Sequence, residues 1–445
     1  MDDEATWYFR ESTSLNSHHL HWHDVVPHKV ERFGELFYYM HSQILARHEA
    51  ERLSNGLKRT KPFCYEEWDH PIEEGYDPKL GELWTPRPGG MVMGTDHERE
   101  KLKKHYGDIK DVVKQGGEYK NGKDEGIEGL GRLVQKTLHN AGHGYLNKMG
   151  GNGVMGTAVA SLRDPIFYSW HSCLEEIFRE YKNSLGQYMD HELSFEGVEI
   201  VNMKLKSNGV SLKNTIITFM ETREIHLRNI DGHLDVKYDK HTPIKTFKQQ
   251  TLNHIPFNYK IIIKSETKTD GVMRIFLKPL GKTGNRDIIE MDRFYIKLKK
   301  GKNIVRRAEK SAPHLSKSML TLGELQDKLM KGLISKNQYN WEGCGWPLSL
   351  NIPRGKAHGM MWELVAMVST ILEDKEGRER EKWNSGKNFS WSFCGIYHGS
   401  IPDKRPMGFP FDRDFPSLHR LMQNKSTGMK KTNWSIIHVN IKHLG

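Results

Sequence analysis

Cysteine is scarce in this 445-residue chain. There are four, Cys64, Cys173, Cys344 and Cys394, and no two of them form a CxxC pair, which argues against a zinc ribbon. No stretch approaches the roughly eighteen consecutive apolar residues of a membrane-spanning helix, so no membrane partner is expected. The opening residues, MDDEATWYFRES, are acidic and hold no apolar leader segment, so no signal peptide is visible. Internal repeats and low-complexity tails are missing too. Acidic residues are outnumbered, 56 Asp+Glu against 67 Lys+Arg, for a net charge of +11. A basic balance invites a nucleic-acid reading. The densest run, KLKKGKNIVRR at 297–307, alternates as an exposed strand does and has no aromatic residue between its charges to stack on a base. It reads as a solvated sheet edge, where Lys is ordinary, and no nucleic-acid partner is expected.

The chain is long enough for two or three domains, and its patterning changes once. Up to about residue 188 the spacing of apolar residues is helical. GELFYYMHSQILARHEAERLSNGL (34–57) and DHEREKLKKHYGDIKDVVKQGG (96–117) each end at a glycine, and GLGRLVQKTLHNAGHGYL (129–146) follows. DPIFYSWHSCLEEIFREYKNSL (164–185) opens on Asp-Pro, an N-cap followed by proline at the first helical position. Beyond about 190 the period falls to two. VEIVNMKL, NTIITFM, FNYKIIIKS, VMRIFLKPL, RFYIKLKK and WSIIHVNIKHLG read as strands divided by Gly, Asn and Asp turns. WELVAMVSTIL fits either type, and LGELQDKLMKGLI (322–334) reads as an isolated helix. The expectation is an α+β chain of two domains, helical over 1–188 and strand-rich over 189–445.

What the chain has in excess is histidine, 24 residues in all. SHHLHWH holds four in six positions, 18–23. His19 and His23 stand at i and i+4 and project from one helical face, and the next helix carries His41 in FYYMH. The arrangement then repeats. LHNAGH supplies His139 and His143 at i and i+4, and the following helix carries His171 in FYSWH. A lone histidine in an apolar helix is ordinarily a core or surface residue. Two such pairs, each followed by an aromatic-flanked single, do not fit that description. Within 18–23 a second register exists, His18 and His21 at i and i+3. The other pair's i, i+4 spacing favours His19 and His23, which leaves His18 and His21 to supporting or surface roles. Two three-imidazole sites on four helices suit a metal pair with open positions. Zinc tolerates three histidines, but a facing pair of such centres favours copper with dioxygen bound between the ions.

These stretches are similar to those of arthropod hemocyanins and their relatives, the prophenoloxidases and the copper-free hexamerins. The resemblance runs in order over nearly the whole chain, through SHHLHWH, GELFYYMHSQILARHEAERLSNGLKR, PIEEGY, LHNAGH, GVMGTAVASLRDPIFYSWH, HIPFNY, GCGWPLSLNIPRGK and CGIYHGSIPDKRPMGFPFDR. The version GVM…SLRDPIFY…WH looks nearer the chelicerate type. The resemblance implies a four-helix dicopper domain followed by a seven-stranded immunoglobulin-like β-sandwich. It implies two copper ions that bind O2 as peroxide, one held by His19, His23 and His41, the other by His139, His143 and His171. Phe37 and Phe167 would pack around them. It further implies a Cys344–Cys394 disulfide; Cys173, in the helix that carries His171, is expected to stay unpaired as a small buried hydrophobe. Dioxygen is the implied ligand, hemocyanin-like subunits the implied oligomeric partners, and extracellular hemolymph the implied location.

Several positions depart from the family pattern. The sequence shows no counterpart of the N-terminal helical domain that precedes the copper domain, and the segments between the ligand histidines look short. Leu20 stands where tryptophan is usual, and Glu342 replaces the first cysteine of FCGCGWP. In phenoloxidases a glutamate placed in the segment before RDP takes the phenol proton. Here that position is Ala158, and no carboxylate occurs between Gly153 and Leu162. The expectation is therefore reversible oxygen binding, with phenol oxidation at the same centre as the alternative. The storage role of hexamerins fits less well, because all six ligand histidines are present. Asn388, Asn424 and Asn433 stand in N-glycosylation sequons.

Overall fold

The computed structural model describes residues 2–26, 32–78, 83–116, 126–226, 246–280, 286–316, 327–336, 345–371, 405–415 and 432–445. The chain divides into two compact units. One comprises Met1–Glu11, Val26–Gln187 and Met407–Asp414; the other comprises Ser12–Val25, Tyr188–Pro406 and Phe415–Gly445. The 13-residue helix α1 (Thr13–Val25), with Ser12 before it, thus groups with the strand-rich unit.

The helical unit is built on α2 (Phe33–Ser54), whose residues are buried almost all round, as expected of a helix enclosed on every side. Around it stand α3 (Asp96–Lys114), α4 (Gly126–Val134), α5 (Asn140–Asn147) and α6 (Ile166–Ser184). α3 starts at a reciprocal capping box. Thr95 Oγ1 accepts the Glu98 N–H at 3.2 Å, and Glu98 Oε2 accepts the Thr95 N–H at 2.9 Å. α6 begins one residue later than Asp-Pro implies, but Asp164 still caps it by accepting the Ile166 N–H at 3.0 Å. The same carboxylate takes a two-pronged bond from the Arg87 guanidinium at 2.7 and 2.8 Å, both groups buried. The segment 407–414 is held in this unit by polar contacts. Glu35 Oε1 accepts the Met407 N–H at 2.7 Å, and Lys182 donates to buried Asp412 at 2.9 Å.

Cys173 corrects an expectation. It is not a free thiol but is bonded to Cys64, 109 residues earlier, with a Cα–Cα distance of 5.2 Å. The 58–68 segment runs along α6, where the Phe63 N–H donates to the Ser169 carbonyl at 2.9 Å and the Trp68 ring lies 5.7 Å from that of Trp170. That packing brings the two cysteines together, and no local spacing announces it. Cys344 and Cys394 both lie outside the described residues, as do Asn388 and Asn424. Asn433 is buried, and its side-chain amide donates to the carbonyls of Leu193 and Val368 at 3.0 and 2.8 Å, which leaves no room there for a glycan.

The strand-rich unit has nine strands among the described residues, where the resemblance implied seven. They are β1 (Val198–Ser207), β2 (Thr215–His226), β3 (Thr246–His254), β4 (Phe257–Ser265), β5 (Thr269–Pro279), β6 (Ile289–Leu298), β7 (Gly301–Ala308), β8 (Met360–Ser369) and β9 (Trp434–Leu444). One sheet has the order β1-β4-β7, the other β3-β2-β9-β8-β5-β6. β1 packs across β2, β8 and β9 of the second sheet, so the unit is a two-layer sandwich. WELVAMVSTIL resolves as a strand, β8, buried on both faces at the middle of its sheet. β3, TFKQQTLNH, escaped the period-two reading because it is an edge strand with a polar composition. Of the helix expected at 322–334, only residues from 327 are described, and 327–330 are helical.

Candidate metal centre

In the helical unit four of the expected histidines meet. His41 comes from α2, His171 from α6, and His139 and His143 from the run that links α4 to α5. The ligand nitrogens of His41, His139 and His171 all lie within 4.8 Å of one another. The His143 ring centroid is 4.5 Å from that of His139 and 5.2 Å from that of His171. The His41 ring stacks on His171 at 4.8 Å.

Two local devices bring them there. The first is a pair of glycines at the crossing of α2 and α4. A Cβ on Gly34 would sit 2.0 Å from the Glu128 carbonyl oxygen, and one on Gly131 would sit 2.1 Å from the Gly34 carbonyl oxygen. Only glycine permits the backbones to touch. The second is a π-helical turn, Gln135–His139, between α4 and α5. His41 follows Gly34 by seven residues, about two helical turns, and so shares its face. His139 follows Gly131 by eight, which in a regular helix would place it roughly 80° off that face. The extra residue taken up by the wide turn restores the alignment, and the His41 and His139 ring centroids lie 5.4 Å apart. Single π turns of this kind recur at functional sites. A third glycine, Gly142, lies between the two histidines of LHNAGH, and a Cβ there would fall 2.1 Å from the Trp170 ring. α5 is thus pressed onto α6.

Each ring is held by its Nδ1. His41 donates to the Phe37 carbonyl, His171 to that of Phe167 and His143 to that of Met155, each at 2.8 Å. His139 Nδ1 faces Asn140 Oδ1 at 3.1 Å. A carbonyl can only accept, so in these three rings Nδ1 carries a proton, and Nε2 is the nitrogen left to ligate when the ring is neutral. This is the usual support of a metal-binding imidazole. The Nε2 atoms of His143 and His171 are buried with no hydrogen-bond partner. Burial pushes the His143 imidazole down to about 4, and burial followed by its neighbouring imidazoles holds His171 well below the usual range. Both rings are therefore neutral at physiological pH, as ligation requires. The Phe167 ring stacks on His171 at 3.8 Å, and Phe37 lies 4.9 Å from His139. Both are fully buried and line the cluster with hydrocarbon.

In the strand-rich unit α1 carries the remaining expected pair. The Nε2 atoms of His19 and His23 face each other at 3.1 Å, and the two ring centroids are 4.7 Å apart. Both rings therefore point at one spot from successive turns. His18 and His21, expected in supporting or surface roles, are both buried. His18 sets its ring 5.6 Å from Trp346, in the same unit. His18 is thus a packing residue rather than a surface one.

A helical unit that gathers buried neutral imidazoles, joined in one chain to an antiparallel-rich sandwich, has the layout of a metal-binding protein with an immunoglobulin-like domain. The comparisons with known proteins say which one. The model of the hemocyanin copper-containing domain matches residues 1–150, and that of the hemocyanin ig-like domain matches residues 187–443. The chain belongs to the hemocyanin family, within the superfamily shared with the prophenoloxidases. It is 31% identical to Phenoloxidase 2 of Drosophila melanogaster, over 99% of this chain and 71% of that one. It is 34% identical to the Hemocyanin D chain of Aphonopelma sp., over 91% and 70%. The activated-state scorpion hemocyanin structure superposes with a TM-score of 0.81 at 29% identity, covering 100% of this chain and 76% of that one.

Proposed function

We propose that the chain is an oxygen carrier that binds two copper ions through six histidines. His139, His143 and His171 hold one ion, and His19, His23 and His41 hold the other. The observation that carries the reading is the buried imidazole cluster, in which Nδ1 is spent on a carbonyl and the Nε2 atoms of His143 and His171 are left bare and desolvated. An all-nitrogen set of neutral imidazoles suits copper. Copper supplies reversible dioxygen binding there. The protein's own part is to keep the rings neutral, fix their tautomers and exclude water with Phe37 and Phe167.

The loop beside the cluster supports reversible binding rather than turnover. His143 is held by the Met155 carbonyl, and the chain continues through Thr157 and Ala158 without a carboxylate until Asp164. Asp164 is engaged by Arg87 and by the first turn of α6. No proton acceptor for a phenol stands in that loop. The match to an insect phenoloxidase supports a second reading, phenol oxidation at the same centre. Extracellular placement is supported by the Cys64–Cys173 bond, since disulfides persist in oxidising compartments. Assembly with hemocyanin-like subunits is part of the same reading.

Metal analysis and absorption spectra of His139→Ala test the proposal. The copper content is expected to fall from two ions per chain to one, and the oxygen-dependent absorption band to vanish. A variant that retains the band would overturn the ligand assignment.

A further inference from the structure

The β1-β4-β7 sheet of the strand-rich unit turns one face inward and the other to solvent. Val198, Ile200, Met203 and Leu205 alternate inward on β1, and Phe257, Tyr259, Ile261 and Ile263 do so on β4. The outward positions carry Lys204, Lys206, Lys260, Lys264, Lys302 and Arg306, all exposed. Register places them in rows. Lys204 pairs with Lys260 and Lys260 with Arg306, while Lys264 pairs with Lys302. Neighbouring strands lie about 4.8 Å apart, and positions four residues apart along a strand about 13 Å. One cationic row, Lys204–Lys260–Arg306, therefore crosses all three strands near one end of the sheet, and near the other end Lys264 and Lys302 stand side by side with Glu199 of β1 opposite Lys264. Between the two ends run Asn202, Ile262 and Ile304.

Like charges directly opposite one another destabilise a sheet. Six of them on three strands, with Glu199 as the one acid among the outward residues of these strands, are an arrangement that folding alone does not favour. Some cations elsewhere in this unit are neutralised: Arg307 is bonded to Asp292, and Lys278 to Glu363. None of the six has an ion-pair partner among the described residues.

We infer that this face binds a linear sulfated polysaccharide. The face is an open strand surface whose cations sit on long, exposed side chains, so it suits a chain of repeated anionic groups rather than one small anion in a pocket. It carries no aromatic residue among its outward positions. It therefore lacks the rings on which single-stranded bases stack, and it lacks the Trp and Tyr anchors of a membrane interface. Charge repeated along a flexible polymer is the chemistry it matches, and the interaction is independent of copper.

The experiment is binding of the full chain to heparin across a salt series, with duplex DNA and phosphatidylserine vesicles as parallel probes. Binding in about 0.15 M salt is expected, weakening as salt rises because counterions are released. Lys260→Gln/Lys302→Gln/Arg306→Gln is expected to weaken it about tenfold or more and to lower the salt slope by about three. A control with the same charge change on α3, Lys101→Gln/Lys104→Gln/Lys114→Gln, is expected to stay within about twofold of the unmodified chain. Lys302→Gln/Arg306→Gln, confined to an edge strand, is expected to show at least a threefold loss and covers the case in which the triple variant misfolds. Equal losses in the control and sheet variants would reduce the effect to net charge and overturn the proposal. So would tighter binding to DNA or to vesicles than to heparin at equal salt.

Discussion

At the level of one side chain, the proposed carrier reading rests on Ala158. It lies three residues beyond Met155, whose carbonyl orients His143, so a carboxylate introduced there enters the loop that supports one of the proposed ligands. A general base is worth about a hundredfold to ten-thousandfold in proton transfer. The copper-loaded chain is expected to oxidise diphenols slowly and to hydroxylate monophenols hardly at all, since the second reaction needs the base. Ala158→Glu is expected to raise phenol turnover by roughly tenfold or more in initial-rate assays. Rapid monophenol hydroxylation by the unmodified chain would replace the carrier reading with the phenoloxidase one. His254 makes a different point at the same scale. Its ring is buried in the strand-rich unit with both nitrogens lacking hydrogen-bond partners, and burial pushes it down to about 4. The folded state favours the neutral ring, so its stabilising effect is complete above the unfolded value near 6.5 and declines as pH falls from there towards 4. Urea titrations of His254→Leu are expected to show a shallower loss of stability across that window. An unchanged slope would mean that the ring does not stay neutral in the fold.

Helix crossings decide the centre at the scale of elements. Gly34 and Gly131 let α2 and α4 touch backbone to backbone, and the π turn at Gln135–His139 corrects the phase so that His139 shares a face with Gly131. Gly131→Ala must push the helices apart, because its Cβ would meet a carbonyl oxygen and not a side chain that can swing away. Loss of copper by equilibrium dialysis, larger than any change in helix content by circular dichroism, is the expected result. If copper binding is retained, the glycine contact does not set the ligand spacing. The histidine spacings were legible without coordinates because i, i+4 pairs need only a helix. The phase correction was not, since a π turn has no sequence mark that distinguishes LVQKTLHN from an ordinary helix. The strands show the same division. Alternation revealed β1, β4 and β5, whereas β3 pairs with β2 alone at a sheet edge and has no need of an apolar face.

For the whole molecule the Cys64–Cys173 bond closes a loop with a sequence separation of 109. On loop-entropy grounds such a cross-link stabilises by about 4–5 kcal/mol. Cys64→Ser is expected to lower the thermal midpoint of the copper-free protein, and non-reducing mass mapping of the unmodified chain should recover the linked peptides. Free thiols at both positions would remove the bond and this prediction together. The family, the change from helix to strand near residue 188 and the six candidate ligands were all determined by the sequence alone. Each is a matter of periodicity or of short motifs, and a helix or strand writes its period directly into neighbouring residues. Contacts between residues far apart in the chain leave no such trace. The pairing of Cys173 depends on Trp68 packing against Trp170, over a hundred residues away. The grouping of the histidine-bearing α1 with the strand-rich unit, and of Met407–Asp414 with the helical one, depends on partners such as Trp346 for His18 and Lys182 for Asp412. Only the tertiary structure decides these, because the free energy that selects them comes from burying side chains against surfaces that exist only once the chain has folded.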